Sequence, residues 1–188
     1  EPKKGFANGN FIVEAKEDNP KSVKLVYGTT TKEINLSEEC SQISNKFVCG
    51  IEADLSEYEG QNEVTYYFVV EDIAGSAVFS KRVLIEVDET SPVVNSFNYF
   101  VNGRKVNFVF DITEINFDEL TYIDQSDSRP REKTFCSRLK NGRTCEKKIN
   151  FGEGEHNLTF NIYDEAGNFA ELNSLINCDH SICSLFIN

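Results

Sequence analysis

Six cysteines (Cys40, Cys49, Cys136, Cys145, Cys178 and Cys183) are the side chains of this 188-residue chain best equipped for chemistry. Thiols can bond in pairs, hold a metal or act as nucleophiles. An even number fits pairing, and disulfides persist in oxidising compartments. The stretch "CDHSIC" sets His180 between Cys178 and Cys183 and raises zinc as the rival. Structural zinc asks for four well-spaced ligands, and the Cys-x2-Cys spacing is missing. Two histidines, His156 and His180, offer little for acid–base or triad catalysis. His156 falls at a turn corner, where a surface position is the simplest expectation. There is no Gly-rich phosphate loop, no Gly-x-Ser-x-Gly and no His-Glu-x-x-His. Carboxylates abound, but in a chain with 31 Asp and Glu that is the background, whereas a glycosidase needs two held across a cleft. The expectation is a protein that is not an enzyme.

What positions these residues is a duplication. Cys40 and Cys49 are nine apart, as are Cys136 and Cys145, and the two pairs are offset by 96. Asp72-Ile73-Ala74-Gly75 returns as Asp164-Glu165-Ala166-Gly167 at an offset of 92. "FIVEAKEDNPKSVKLVY" from Phe11 aligns without gaps on "FVFDITEINFDELTYID" from Phe108, an offset of 97. Three landmarks in one order make two copies of one unit. The joint falls at "VDETSPVV", where Pro92 cannot donate to a ladder and Ser91 is held extended. The domains are therefore placed at 1–90 and 91–188, joined by a short, tight linker.

Within each copy the period is two. Val64, Tyr66, Phe68 and Val70 alternate with Thr65, Tyr67 and Val69, and Leu158, Phe160 and Ile162 with Asn157, Thr159 and Asn161. That is the pattern of half-buried antiparallel strands. The set Ala77, Phe79, Lys81, Val83, Ile85, Val87 extends the pattern to the following strand. Between the strands, Asp accepts backbone N–H groups as the turn opens and Gly supplies positive φ as it closes. About seven short strands per copy make the fold class all-β, two tandem antiparallel sandwiches. No stretch reaches the roughly 20 apolar residues of a spanning helix, so no membrane insertion by this fragment is expected. The missing initiator Met and leader fit a mature or excised fragment.

"EGEHNLTFNIYDEAGNFAE" resembles the last two strands of the immunoglobulin-like repeats of bacterial and archaeal surface proteins, and "DETSP" resembles the acidic joint between them. The resemblance covers about the C-terminal third of each copy. The first copy departs from it, with Ser76 where the pattern has Asn and an extended corner before Val64. Neither copy has the core Trp or the inter-sheet cysteine pair of antibody domains. The resemblance implies an immunoglobulin-like sandwich on a cell surface or in a secreted protein.

Four site expectations follow. A linkage present in both copies must be local to each, which selects Cys40–Cys49, Cys136–Cys145 and Cys178–Cys183 from 15 connectivities. Cys136 facing Cys145 sets Ser137 opposite Thr144 and Arg138 opposite Arg143, a hairpin closed by "LKNG". In a sandwich of this type Glu114 (B–C loop) and Asp164 and Glu165 (F–G turn) share one end with the linker residues Asp88 and Glu89. Either these oxygens hold a structural Ca2+ at the domain junction, or Asp164 caps its own turn and the rest are solvated. Residues 129–148 carry Arg129, Arg131, Lys133, Arg138, Lys140, Arg143, Lys147 and Lys148 against two Glu, locally +6 in a chain of −12. With Phe135 and Leu139 this basic hairpin would dock an anionic glycan or an acidic protein; otherwise its charges balance the chain's own acidic surface. The acidic remainder repels nucleic acid, so none is expected as a partner. Asn35-Leu36-Ser37 and Asn157-Leu158-Thr159 match the N-glycosylation sequon.

The functional expectation is a non-catalytic extracellular or cell-surface module, a spacer, stalk or adhesion segment whose partners are the neighbouring domains of a larger protein. The alternatives are an accessory ligand-binding module working through residues 129–148, and non-catalytic domains of a secreted hydrolase. No cofactor beyond that Ca2+ is expected.

Overall fold

The computed structural model describes residues 2, 5–60 and 63–187. The chain divides into two compact units, Glu1–Thr90 and Ser91–Asn188. In the first, β1 (Gly5–Ala7), β2 (Asn10–Ala15), β3 (Pro20–Tyr27) and β4 (Thr30–Ile34) lead to a one-turn helix α1 (Leu36–Glu39). Then come β5 (Cys40–Ile43), β6 (Lys46–Glu52), β7 (Val64–Asp72), β8 (Ala77–Phe79) and β9 (Val83–Val87). One sheet has the order β1-β9-β7-β3-β4 with β8 also on β7, and the other β2-β6-β5. The second unit runs β10 (Val93–Asn102), β11 (Lys105–Thr113), β12 (Phe117–Asp124), β13 (Lys133–Cys136), β14 (Thr144–Asn150), β15 (Gly154–Asp164), β16 (Phe169–Cys178) and β17 (Cys183–Ile187). Its sheets are β10-β11-β14 and β13-β12-β15-β16-β17. The two units share a plan: β2 pairs with β6 as β11 does with β14, and on the other sheet β3 pairs with β7 as β12 does with β15. That is the immunoglobulin-like sandwich. No helix among the described residues is long and apolar enough to cross a membrane.

Each sandwich has its own core. Phe11, Val23, Leu25, Tyr66, Phe68 and Ile85 are buried in the first. Phe108, Phe110, Leu120, Phe135, Phe160 and Ile176 are buried in the second. Along β7 and β15 these are the residues that alternation points inward.

The repeated Asp-x-Ala-Gly turns have one geometry. Gly75 N–H donates to Asp72 O at 3.1 Å, and Gly167 N–H to Asp164 O at 3.2 Å. Each glycine is left-handed, at φ 86° and 90°. The Asp72 carboxylate accepts Ser76 N–H and that of Asp164 accepts Asn168 N–H, both at 2.8 Å. A reverse turn closed by one left-handed residue matches the twist of the strands it joins.

The alternation expected to run through β8 into β9 breaks between them. Val69 pairs with Phe79 and Val70 with Val78, but Tyr66 pairs with Val83 and Val64 with Ile85. One extra residue has entered between β8 and β9, and a one-residue slip exchanges the two faces of a strand. Ile85 and Val87 are buried as expected; Ala77 and Phe79 are instead exposed, Phe79 at 65%. Val78 is exposed as well, at 70%, and with Phe79 it borders an open groove of about 260 Å³ lined also by Val13, Phe68 and Val70.

Candidate functional site

The basic segment 129–148 is not a hairpin. Cys136 pairs across the ladder with Leu120, and Cys145 with Phe110, so β13 and β14 belong to different sheets. Between them only Lys140 and Thr144 form a bridge. Ser137 therefore does not face Thr144, and Arg138 does not face Arg143. The physical reason lies in the core. Phe135 is 5% exposed, with ring centroids 5.4 Å from Phe110 and 5.8 Å from Phe160. Burying that ring holds β13 on β12. Neither Phe135 nor Leu139, which packs against the same core, is displayed for a ligand.

Three of the eight cations are engaged at home. Arg143 grips Asp111 with Nη2 at 2.8 Å from both carboxylate oxygens. Hydrogen bonds from Arg143 and Asn95 hold the Asp111 carboxyl below the ordinary carboxylate range. Lys133 pairs with Asp127 at 3.2 Å, and that bond raises its ammonium above the usual lysine value. Lys147 donates to Thr134 O at 2.6 Å and lies over the Tyr122 and Phe135 rings. Arg129, Arg131, Arg138, Lys140 and Lys148 are exposed. They form the chemically open part of the segment.

The cysteines are all bonded: Cys40 to Cys49, Cys136 to Cys145 and Cys178 to Cys183. Cys40 and Cys49 are ladder partners on β5 and β6, and Cys178 and Cys183 on β16 and β17. Cys136–Cys145 instead joins the two sheets, its Cα atoms 6.3 Å apart. The thiolates zinc would need are consumed, and His180 points to Glu153 at 2.6 Å with its side chain 91% exposed.

His156 departs from its expected surface position. Its Nδ1 lies 2.6 Å from Asp124 Oδ2, with side-chain exposures of 15% and 7%. Its ring is 4.9 Å from that of Phe151. Asp124 also accepts Ser126 N–H at 3.1 Å, closing the turn after β12. Asp124→Ala removes both interactions at once and strands the imidazole. It should cost about 2 kcal/mol in chemical denaturation, with Asp124→Asn recovering part; a loss within about 0.5 kcal/mol would show the pair to be idle.

At one pole of the second unit, the β11–β12 corner meets the β15–β16 turn. Glu114 Oε1 accepts the N–H of Ile115 at 2.8 Å and of Asn116 at 3.2 Å. The Asn116 carbonyl accepts Glu165 N–H at 2.8 Å. Asp164, 2% exposed, brings a carboxylate oxygen within 4.8 Å of one on Glu114. Glu165 contributes its backbone here, its side chain being exposed. Asp88 and Glu89 belong to the first unit, where Asp88 Oδ1 accepts the Thr90 N–H at 2.9 Å and its hydroxyl at 2.6 Å. Asn116 did not stand out in the sequence. It is 6% exposed, and its amide oxygen and nitrogen have no hydrogen-bond partner. Such an orphaned buried amide costs about 1–3 kcal/mol. The available signal was its place opposite Asn19 in the gapless alignment, each two residues after a Glu.

Both sequon asparagines are exposed. Asn35 caps α1 by accepting Ser37 N–H at 3.2 Å, and Asn157 stands on β15 opposite Leu175.

No known family pattern matches the chain, and no curated protein matches it in sequence. Among solved structures it is similar to fibronectin(III)-like modules of Clostridium thermocellum CbhA, with 14% identity over 95% of this chain and 91% of that one and a TM-score of 0.43. It is also similar to a chimeric titin Z1Z2 tandem, with 13% identity over 94% of each chain and a TM-score of 0.34. A pullulanase from Anoxybacillus sp. LM18-11 is similar at 11% identity over 90% of this chain and 25% of that one, with a TM-score of 0.33.

Proposed function

We propose that the chain is a non-catalytic extracellular module, a spacer, stalk or adhesion segment of a larger surface or secreted protein. The observation that carries this reading is the state of the cysteines. All six are bonded, and every bond stays inside one sandwich. Small sandwiches bury little surface for their size and gain from such staples, which last only where glutathione does not reach them. The reading predicts that the native protein is found outside the cytosol with no free thiols. Antibody against the chain should label intact cells or the growth medium, and thiol-reactive dye should add only after reduction. A cytosolic protein whose six thiols react without reductant would overturn it.

A second reading rests on Arg129, Arg131, Arg138, Lys140 and Lys148, exposed on an otherwise acidic chain. We infer that these cations would dock an anionic glycan or an acidic protein surface by steering. On immobilised heparin, used as a generic polyanion, the protein should be retained at low salt. The triple variant Arg138→Glu, Lys140→Glu, Lys148→Glu should bind at least about tenfold more weakly, since fewer counterions leave the polyanion when fewer cations neutralise it. Equal retention of both proteins would leave these charges as solvated surface.

A further inference from the structure

We propose that the first unit docks face to face on a second copy of the chain, through the outer surface of its β4-β3-β7-β8 sheet. The register fixes what stands there. Along β7, Tyr66 and Phe68 are buried in the core, so Tyr67 and Val69 point outward. Ladder partners share a face. Lys24 and Phe79 flank Val69, Val26 flanks Tyr67, and Glu33 lies beyond Lys24 on β4. On β9, Leu84 joins this face opposite Thr65. Phe79 is 65% exposed and Leu84 50%, so no described element covers the surface. The second unit shows that the fold does not require these apolar residues. At the same register positions β15 carries Thr159 and Asn161 in place of Tyr67 and Val69, and β16 carries Glu171 in place of Phe79. Its polar chains bond one another, Thr159 Oγ1 donating to Asn173 Oδ1 at 2.9 Å and Asn173 Nδ2 to Glu171 Oε1 at 2.8 Å. Exposed aromatic and aliphatic side chains on one copy of a fold, where the other copy is polar, mark an interaction surface.

Charge selects the occupant. At the β8–β9 border of the face, Arg82 extends over the Tyr67 ring, 5.1 Å from its centroid. At the opposite border stands Glu33 on β4, its side chain 71% exposed and 3.9 Å from Lys24. A two-fold axis lying in the interface, parallel to the strands, carries the β4 border of one copy onto the β8 border of the other. Arg82 then meets Glu33 of the other copy twice, once at each side, with Tyr67, Val69 and Phe79 enclosed between the two pairs. The contact is closed by its own symmetry, so association stops at the dimer. Four strands at about 4.8 Å spacing make a surface only about 15–20 Å on a side. That falls short of the roughly 800 Å² per partner of a standard interface. The dimer is therefore weak, with Kd on the order of 10–100 μM.

The test is sedimentation equilibrium of the full chain from about 5 μM to about 1 mM, with the mass expected to climb from monomer towards dimer across that range. Phe79→Glu and Val69→Asn introduce what the second unit carries at the same positions. Melting of the dilute protein should therefore hold, while dimerisation weakens at least about tenfold. Arg82→Glu and Glu33→Arg should each weaken it at least about fivefold alone. An equimolar mixture of those two variants should recover it, because both mixed contacts again join opposite charges. Glu171→Ala, on the matching face of the second unit, should leave the dimer as it is. A chain that stays monomeric to about 1 mM overturns the proposal and leaves the face to a partner of another kind. So does a dimer that Phe79→Glu leaves intact or Glu171→Ala breaks, and so do charge variants that fail to rescue one another.

Discussion

Phe160→Ala should destabilise the second unit by about 3–5 kcal/mol and leave the unfolding of the first where it is. Phe160 is fully buried, with ring centroids 5.1 Å from Phe110, 5.5 Å from Phe108, 5.7 Å from Phe97 and 5.8 Å from Phe135. Those rings come from both sheets, so the cavity left by truncation lies between the layers and no single strand can move to fill it. The selectivity follows from the cores. The cluster around Phe160 draws only on residues from Val94 onward, and the cluster around Phe11 only on residues up to Val87. Phe11 is likewise fully buried and meets Tyr66 edge to face at 4.8 Å, so Phe11→Ala should strike the first unit alone. Denaturant unfolding followed by hydrogen exchange at β7 and β15 separates the two. If either substitution lowered protection equally in both strands, the cores would be one cooperative body and the duplication would lose its physical meaning.

The fold was legible where a local rule and the global structure agree. Val64, Tyr66 and Phe68, and Leu158, Phe160 and Ile162, face inward because strands with one buried face must alternate. The paired turns were legible because Asp and Gly each supply something the backbone needs at one position. Failures came where a non-local term intervened. A bulge between β8 and β9 leaves no trace in composition, yet it puts Ala77 and Phe79 out of phase with Ile85 and Val87, and all of β8 is exposed. Phe135 lies in a run of cations, and counting charge along the chain cannot reveal that the core takes its ring. His156 sits in a Gly-rich corner, and its partner Asp124 is 32 residues away. The acidic pole was half visible: Glu114 and Asp164 followed from the expected loops, but the buried state of Asn116 depends on how two corners close over it.

The equal spacing of the cysteine pairs also concealed a difference, and it sets up the second large effect. Cys40–Cys49 and Cys136–Cys145 both span a separation of 9, so each removes about the same loop entropy from the unfolded chain, roughly 2–3 kcal/mol. Burial is matched too, since each pair has one buried member, Cys49 or Cys145, and one partly buried. The folded states differ. β5 is held to β6 by four ladder pairs, Cys40–Cys49 through Ile43–Lys46. Between β13 and β14 there is no ladder, because they lie on opposite sheets. Without its bridge, β13 keeps only its short pairing with β12, three residues long, and Phe135 loses the neighbour that closes the core's edge. Cys136→Ala with Cys145→Ala should therefore cost about 3–5 kcal/mol, against about 2–3 kcal/mol for Cys40→Ala with Cys49→Ala. Amide exchange should rise first at Thr134 and Phe135. Equal costs for the two double variants would mean that the cross-sheet bridge acts on the unfolded chain alone, and that burial of Phe135 is enough to keep the edge of the sandwich shut.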